Sequence, residues 1–451
     1  MYKHRLLWYG IISCVVLCCA PEEFNYTYCL FCSMLYLIVG VDSIRQTRNR
    51  CGWLNFSMIF TMFLFITSFL IPLVLFSAGN YSFYSKYICK ATALSVSALC
   101  FYYLGRNYAF SKVKPSFPDL KVTKDVVVIC NILTVFVLAM YLVSYRRFIA
   151  ASDYGSNDIE DRYMVTLLYS IPSLALLIST LYNSGFICNA RTFLSYNKIP
   201  VLSLGIAVVT SLYIGDRTIP LYISLCVLFV YTKFVKKVRP LFLVVIALCG
   251  GVLFYIIGQT RKSDDSIRET GITGVLNYDT SGNSFIDYFS DFYPASEANY
   301  LFIKWREDHD GNLYYPGKIF IYAVSPIPFV PSFLSNLVYG VSFSQLSSGY
   351  LSTRQYQTFV RNIDGGIGTH AVGDIYISWG IIGVICMFFL FGYIVGYSFC
   401  KSRETIYCSL VYMSLFADSI YMTRASLFDC YRTIVFQIVI YYLIKQISIR
   451  K

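Results

Sequence analysis

Two titratable side chains, His370 and Asp374, stand at the start of an apolar stretch that continues to Tyr397. A glycine-rich run, Gly365 to Gly368, precedes them and lets the backbone approach a bulky ligand closely. On a helix, their spacing of four residues places both side chains on one face. A neutral imidazole there can take a proton from a hydroxyl near neutral pH while the carboxylate orients the ring. His370 and Asp374 are the predicted catalytic pair.

The same two residues also have a purely structural interpretation. A histidine in a loop is often only a polar surface residue, and an acid that begins a helix gains about 0.3–1 kcal/mol from the helix dipole. An acid near the centre of a membrane span costs about 2.5–3.5 kcal/mol, so Asp374 needs either a partner or a position near the helix end. Further along, Gly392 and Gly396 form a GxxxG pattern, which indicates helix packing.

Several arginines lie beside apolar segments, where they can converge on one polar cavity. Guanidinium groups bind pyrophosphate through charge-assisted, bidentate hydrogen bonds. The alternative is snorkelling to the interface or local pairing, for instance of Arg217 with Asp216 or of Arg424 with Asp429. The predicted pyrophosphate ligands are Arg217 in GDRT, Arg261 in GQTRKSDDSIRE, Arg361 before the glycine run, and Arg424 in TRAS.

The composition indicates the class of protein that must position these residues. The chain has 451 residues, of which 57% are hydrophobic and only 14% are charged. Continuous apolar stretches of about 20 residues recur along it, which is the length of a membrane-spanning helix. Barrel strands would alternate in polarity instead. We therefore expect an all-α polytopic membrane protein, and the net charge of +12 reflects basic cytoplasmic loops, so no nucleic-acid partner is expected.

Twelve apolar segments predict about twelve spans, and the charge of the loops between them predicts the orientation. The segments are 6–20, 26–41, 54–78, 88–104, 125–145, 163–183, 199–214, 218–232, 240–257, 374–397, 405–422 and 431–447. Basic loops, among them Arg106 to Lys124 and the KFVKKVR cluster at 233–239, alternate with loops of lower basic content. Both termini are therefore predicted to be cytoplasmic. The first segment resembles a signal peptide, but a retained helix agrees better with the Arg45–Arg50 cluster.

A long insert divides the chain into three predicted regions: a membrane region at 1–257, an external loop at 258–373 between spans nine and ten, and a membrane region at 374–451. The loop is rich in aromatic residues, unlike a disordered segment, so we expect short helices lying on the membrane surface. None of the sixteen cysteines falls in it, which argues against a disulfide framework. No spacing typical of metal ligands occurs, and no cofactor is expected.

Three motifs, and the position of a fourth segment, resemble those of the O-antigen polymerases, the Wzy-type oligosaccharide repeat-unit polymerases. GGIGTHAVGDIYISWGIIGV at 365–384 resembles the family's late signature, and SPIPFVPSF at 325–333 stands where such proteins often have an Ile-Pro element. YIGDRTIPLYISL at 213–225 and SIYMTRASLFDC at 419–430 resemble its two arginine-bearing turns. The family more often has Glu at the position of Asp374 and Ser at that of His370.

The resemblance implies a glycosyltransferase at the outer face of the cytoplasmic (inner) membrane. Its substrates would be undecaprenyl-pyrophosphate-linked oligosaccharides, and the growing surface polysaccharide would be extended at its reducing end. A flippase and a chain-length regulator would be its partners in such a pathway. An O-antigen ligase-like enzyme shares the architecture and differs in its acceptor, so it stays an alternative. A lipid-linked oligosaccharide flippase is a second alternative, although a transporter should lack a hundred-residue external loop.

Overall fold

The computed structural model describes residues 2–76, 82–113, 120, 122–150, 159–214, 217–236, 238, 292–359 and 367–449, and within these ranges every regular element is helical. The α-helices are α1 (Tyr2–Cys18), α2 (Tyr26–Cys51), α3 (Phe56–Leu70), α4 (Ser85–Lys112), α5 (Lys124–Ala150), α6 (Ile159–Tyr182), α7 (Ala190–Tyr196), α8 (Lys198–Ile214), α9 (Thr218–Phe234), α10 (Tyr293–Asp308), α11 (Lys318–Ala323), α12 (Val330–Tyr339), α13 (Ser348–Phe359), α14 (Ala371–Lys401), α15 (Ile406–Asp418) and α16 (Tyr431–Ile449). A π-helical turn, Ile71–Leu75, continues α3.

Seven of the described helices are long and apolar enough to cross a membrane. They lie at Tyr26–Arg48, Phe56–Val74, Ser85–Lys112, Lys124–Val143, Val165–Tyr182, Ala371–Lys401 and Tyr431–Ile449. The bent pair formed by Ala190–Tyr196 and Lys198–Leu212, which meet at 94°, raises the number to eight if it is one span. The predicted class, a helical membrane protein, is therefore confirmed.

The sequence predicts twelve spans, whereas seven or eight of the described helices are long and apolar enough to cross a membrane. Every predicted segment within the described residues contains a helix, but three of them, at Arg5–Cys18, Thr218–Phe234 and Ile406–Asp418, are shorter apolar helices. The ninth segment, 240–257, lies outside the described residues. Twelve spans and the orientation of both termini therefore stay predictions.

The structure corrects the start of one predicted loop. The sequence predicts a basic loop from Arg106 to Lys124, but Arg106 lies inside α4 and is only 1% exposed. Its guanidinium donates to the Ser43 carbonyl and to the Thr47 hydroxyl, both at 3.2 Å, and lies 4.4 Å from the centre of the Tyr103 ring. Because Ser43 and Thr47 lie in α2, about 60 residues earlier in the chain, the sequence around Arg106 alone could not reveal these two partners.

The chain forms two compact units that are not consecutive in sequence. Unit 1 contains 1–116, 292–401 and 419–429, and unit 2 contains 117–291, 402–418 and 430–451. The predicted division into three consecutive regions stays a prediction. In unit 1, α4 is the central helix, with α1, α2, α3, α10 and α14 packed around it. In unit 2, α6 packs against α5, α8, α9 and α16, while α15 packs against α9 and α16.

The described part of the predicted external loop, 292–359, folds as short helices within unit 1. Among them, α10 has the fully buried residues Ala298, Leu301 and Phe302. The position of the loop relative to the membrane stays a prediction. Helix α12 does have an exposed apolar face, since Phe333 and Leu337 are 65% and 68% exposed. This face is typical of a helix that lies at a membrane interface.

Candidate functional site

The predicted catalytic residues lie where α14 begins. Gly368 precedes the helix with a positive φ of 78°, a conformation that favours glycine, and its carbonyl accepts a hydrogen bond from the Ser352 hydroxyl of α13. The Asp374 backbone N–H donates to the His370 carbonyl at 2.8 Å, which forms the first helical turn. His370 and Asp374 are therefore separated by one helical turn. From the sequence, the preceding glycines made a loop equally plausible.

Asp374 forms a buried ion pair that the sequence did not predict. Its Oδ1 accepts a hydrogen bond from Lys318 Nζ at 2.6 Å, and the two side chains are only 2% and 3% exposed. Lys318 is the first residue of α11, so the pair joins the insert to the start of α14. A buried charge is tolerated where an opposite charge and hydrogen bonds compensate its desolvation. Asp374 thus has the partner that its position requires.

Two serine hydroxyl groups lie near this carboxylate. Ser348 of α13 and Ser426 of the 419–429 turn lie close to Asp374. The Ser348 hydroxyl also contacts that of Thr369 at 3.0 Å. Asp374 Oδ2 itself has no hydrogen-bond partner within the described parts of the chain. A buried acceptor without a partner is uncommon, and here it leaves one oxygen of the ion pair able to accept a proton or a hydrogen bond.

His370 is completely buried beside α3. The Val372 backbone N–H donates to His370 Nδ1 at 3.3 Å, so Nε2 carries the proton of the neutral ring and donates to the Ser68 hydroxyl at 3.3 Å. Burial lowers the pKa of the imidazole to about 3. In this arrangement both ring nitrogens are occupied. The catalytic role of His370 stays a prediction, and the geometry favours a positioning role.

Arg424 lies next to the same turn of chain. Its backbone carbonyl accepts a hydrogen bond from the Thr369 N–H at 3.4 Å, which fixes the 421–424 turn against the start of α14. The guanidinium is partly exposed and lies 6.0 Å from the centre of the Phe292 ring. Within the described residues it pairs with no carboxylate, and Asp429 instead accepts a hydrogen bond from the Ser426 N–H. Arg424 is thus available to a bound anion.

The other three predicted pyrophosphate ligands lie in unit 2 or outside the described residues. Arg217 is a partly exposed residue of unit 2 at the beginning of α9, whereas His370, Asp374 and Arg424 belong to unit 1. Arg261 and Arg361 lie outside the described residues. Their roles stay predictions.

A break in α14 lies six residues beyond Asp374, at Gly380. This glycine has a φ of 67° and a ψ of −161°, which are not helical values. Carbonyl groups beside the break accept hydrogen bonds from the insert: Tyr314 N–H donates to Ile377 O at 3.0 Å, and Arg306 Nη1 lies 3.5 Å from Tyr376 O. The break is therefore a further point at which the insert holds α14.

An open groove of about 470 Å³ lies beside this break. Its lining includes Arg306, whose guanidinium lies 4.8 Å from the Tyr376 ring, and Lys90, which forms an ion pair with Glu307 at 2.9 Å. Its lining also includes Ile381 and Ile382, which are 40% and 76% exposed on a helix long enough to span a membrane. The groove therefore combines charged side chains with exposed apolar ones.

Glu297 is a second titratable group that the sequence analysis missed. It lies in α10, which packs against α14, and it is 9% exposed. Burial raises the pKa of this carboxyl to about 7, so that it can exchange a proton near neutral pH. An acid within the SEANY segment is a weak signal by sequence alone, because only burial distinguishes it from a surface residue.

Lys318 was also missed, although a signal existed. A single lysine between the YYPG turn and the apolar segment IFIYAV is unusual, because lysine is rarely buried unless it is paired. Its partner lies 56 residues away, so the pairing itself needed the structure.

No family model, no curated protein and no solved structure matches the chain. Within the described residues, no group of three or more His, Cys, Asp or Glu side chains is placed to hold a metal ion.

Proposed function

We propose that this protein is a glycosyltransferase of the outer face of the cytoplasmic membrane that joins lipid-pyrophosphate-linked oligosaccharide repeat units into a surface polysaccharide. Both substrates would be carried on undecaprenyl pyrophosphate. In this proposal both termini are cytoplasmic and the insert between 258 and 373 faces outward. A chain-length regulator and a separate flippase are its proposed partners.

One observation carries the proposal. Three segments that are distant in sequence meet at the start of α14: the insert through Lys318, the glycine-rich signature through Asp374, and the TRAS turn through Arg424. Two of these segments carry motifs that resemble those of the polymerases, and Lys318 belongs to the same insert as the SPIPFVPSF segment, which starts at Ser325. Their convergence brings the Lys318–Asp374 ion pair and the Arg424 backbone to one helix end.

The reaction would require three functions from this site. A hydroxyl oxygen of the incoming unit attacks the anomeric carbon of the growing chain, and the bond from that carbon to the lipid pyrophosphate breaks. The pyrophosphate leaves with the bonding electron pair, and the hydroxyl proton passes to a base. Arg424 would stabilise the charge that develops on the leaving group. Lys318 holds the Asp374 carboxylate in place.

Three residues are candidates for the base that takes the hydroxyl proton. Asp374 has a free oxygen, although its charge is balanced by Lys318. Glu297 has a pKa of about 7, which suits a general base near neutral pH. His370 is neutral above its lowered pKa, but both ring nitrogens already have partners.

Replacing Arg424 tests the proposal. Arg424→Ala removes a charge-assisted contact worth about 1.5–3 kcal/mol, so we expect roughly a ten- to hundredfold loss of polymerisation rate. Arg424→Lys should recover only part of it, since a point charge cannot reproduce the bidentate guanidinium. The measurement is the length distribution of the surface polysaccharide on gels, which should collapse toward a single repeat unit.

A matched control is Arg191→Ala, because Arg191 is exposed on α7 in unit 2. This variant should make chains of normal length at the same membrane abundance. If Arg424→Ala makes chains of normal length, pyrophosphate binding by Arg424 is excluded. If even the first repeat unit is missing from the surface, the protein acts in export or ligation instead.

A further inference from the structure

Two cysteines on different helices of unit 1 lie side by side. Cys29, in the first turn of α2, and Cys89, in the second turn of α4, have their Sγ atoms 3.9 Å apart. They are 60 residues apart in sequence, and both side chains are fully buried. The bond between the sulfurs of a disulfide is about 2.05 Å, so the two Sγ atoms must approach by about 2 Å to form it.

The segment before α2 holds the Cys89 thiol in place. The Asn25 backbone N–H donates to Cys89 Sγ at 3.3 Å, and the Cys89 thiol donates to the Glu23 carbonyl at 3.5 Å. Glu23 and Asn25 are themselves exposed, so Cys89 lies one layer below the surface of the 21–25 turn. A backbone N–H that points at sulfur stabilises a thiolate, which is the form that attacks a disulfide.

We infer that Cys29 and Cys89 form a disulfide bond in the mature protein. This inference rests on the proposed orientation, in which the 21–25 and 79–87 loops face the oxidising side of the membrane. It also changes the expectation from the sequence, in which the positions of the cysteines argued against a disulfide framework. The bond would join the outer ends of α2 and α4, the central helix of unit 1.

The oxidant that forms this bond is a molecule that itself carries a disulfide. The Cys89 thiolate attacks one sulfur of that disulfide and releases one thiolate of the oxidant, which leaves a mixed disulfide. Cys29 then gives up its proton and attacks Cys89 Sγ, which releases the second sulfur of the oxidant. Two electrons and two protons have then passed from the cysteine pair to the oxidant, whose disulfide has become two thiols.

Differential alkylation of the protein from acid-quenched cells tests the inference. Under denaturing conditions, a thiol-reactive mass tag should label Cys29 and Cys89 only after reduction. Cys100 and Cys226, which are equally buried, serve as internal controls and should react without reduction. In Cys29→Ser the remaining Cys89 should react without reduction, and reductant should lower the melting temperature of the wild type, but not of Cys29→Ser, by about 3 °C or more.

Labelling of Cys29 and Cys89 without reduction, to the same extent as Cys100, would overturn the inference. Oxidising the purified, reduced protein with a dipyridyl disulfide then identifies the cause. Rapid linkage in this assay but not in cells means that the α2 and α4 ends face the reducing side, so that the proposed orientation is wrong. No linkage in either assay means that the thiol geometry is wrong, and the proposed enzymatic function is then unaffected.

Discussion

The two halves of α14 are held in place by different kinds of interaction. Before the break at Gly380, the helix is held by polar contacts with the insert, above all the Lys318–Asp374 ion pair. After the break it packs directly on the backbone of α4. A Cβ atom on Gly392 would lie 1.9 Å from the Tyr102 carbonyl oxygen, and one on Gly105 would lie 1.8 Å from that of Phe389.

This difference separates the part of the helix suited to chemistry from the part suited to packing. Close approach of two backbones gains dispersion energy and leaves no room for a ligand. A buried ion pair is a less efficient way to gain stability, since apolar side chains of similar size often stabilise as much or more. The first half therefore keeps its charges at a cost in stability, which is expected where a site needs them.

Removing the lysine should produce the largest effect. Lys318→Met leaves the Asp374 charge buried without its partner, so we expect the free energy of unfolding to fall by about 3–5 kcal/mol. Reversible unfolding in mixed detergent and SDS, followed by tryptophan fluorescence, provides the measurement.

The double variant Lys318→Met with Asp374→Asn distinguishes a lost charge pair from lost packing. Because the amide carries no charge, the double variant should be more stable than Lys318→Met alone. Equal instability of the two variants would show that the ion pair does not hold the first half of α14.

The second half of α14 should lose stability when a side chain is enlarged, rather than when a charge is removed. Gly392→Ala forces a methyl group against the α4 backbone and should cost about 1–3 kcal/mol, near the upper end because backbone cannot move aside as a side chain can. The control is Gly205→Ala in α8, where a Cβ meets nothing within 4 Å. That control should be neutral or more stable by up to about 1 kcal/mol. Similar stability of both variants in the same unfolding assay would contradict the close packing.

The smallest effect should be a loss of stability at acid pH, caused by His370 at the start of α14. The His370 pKa is about 3 in the folded protein and about 6.5 when unfolded, so the unfolded state binds more protons between these values. The stability that His370 contributes is complete above pH 6.5 and falls on acidification, by about 2 kcal/mol at pH 5. In His370→Gln, the difference in unfolding free energy between pH 7 and pH 5 should be smaller than in the wild type. The same difference in both proteins would mean that His370 is accessible to protons in the folded state, as a catalytic base must be.

The sequence predicted the helical membrane class and the start of α14, because both depend on local patterns of apolar residues. It left open whether His370 and Asp374 lie on a helix or in a loop, because the glycine-rich run before them is compatible with both. It did not predict Lys318 as the partner of Asp374 or Arg106 as a buried residue, because those contacts join segments that are distant in sequence. The burial that raises the pKa of Glu297 and lowers that of His370 is likewise a property of packing, which hydropathy cannot supply.

The hydrogen bonds at the Gly380 break have a consequence for how the protein is made. The buried Ile377 carbonyl would lose the partner that Tyr314 provides if the insert were absent, and a buried carbonyl without a partner is costly. The insert precedes α14 in the chain, so it leaves the ribosome first and can be in place when the broken helix enters the bilayer. Biogenesis should therefore proceed by joint folding of the insert and the first half of α14, rather than by late docking of a finished loop onto a finished membrane bundle.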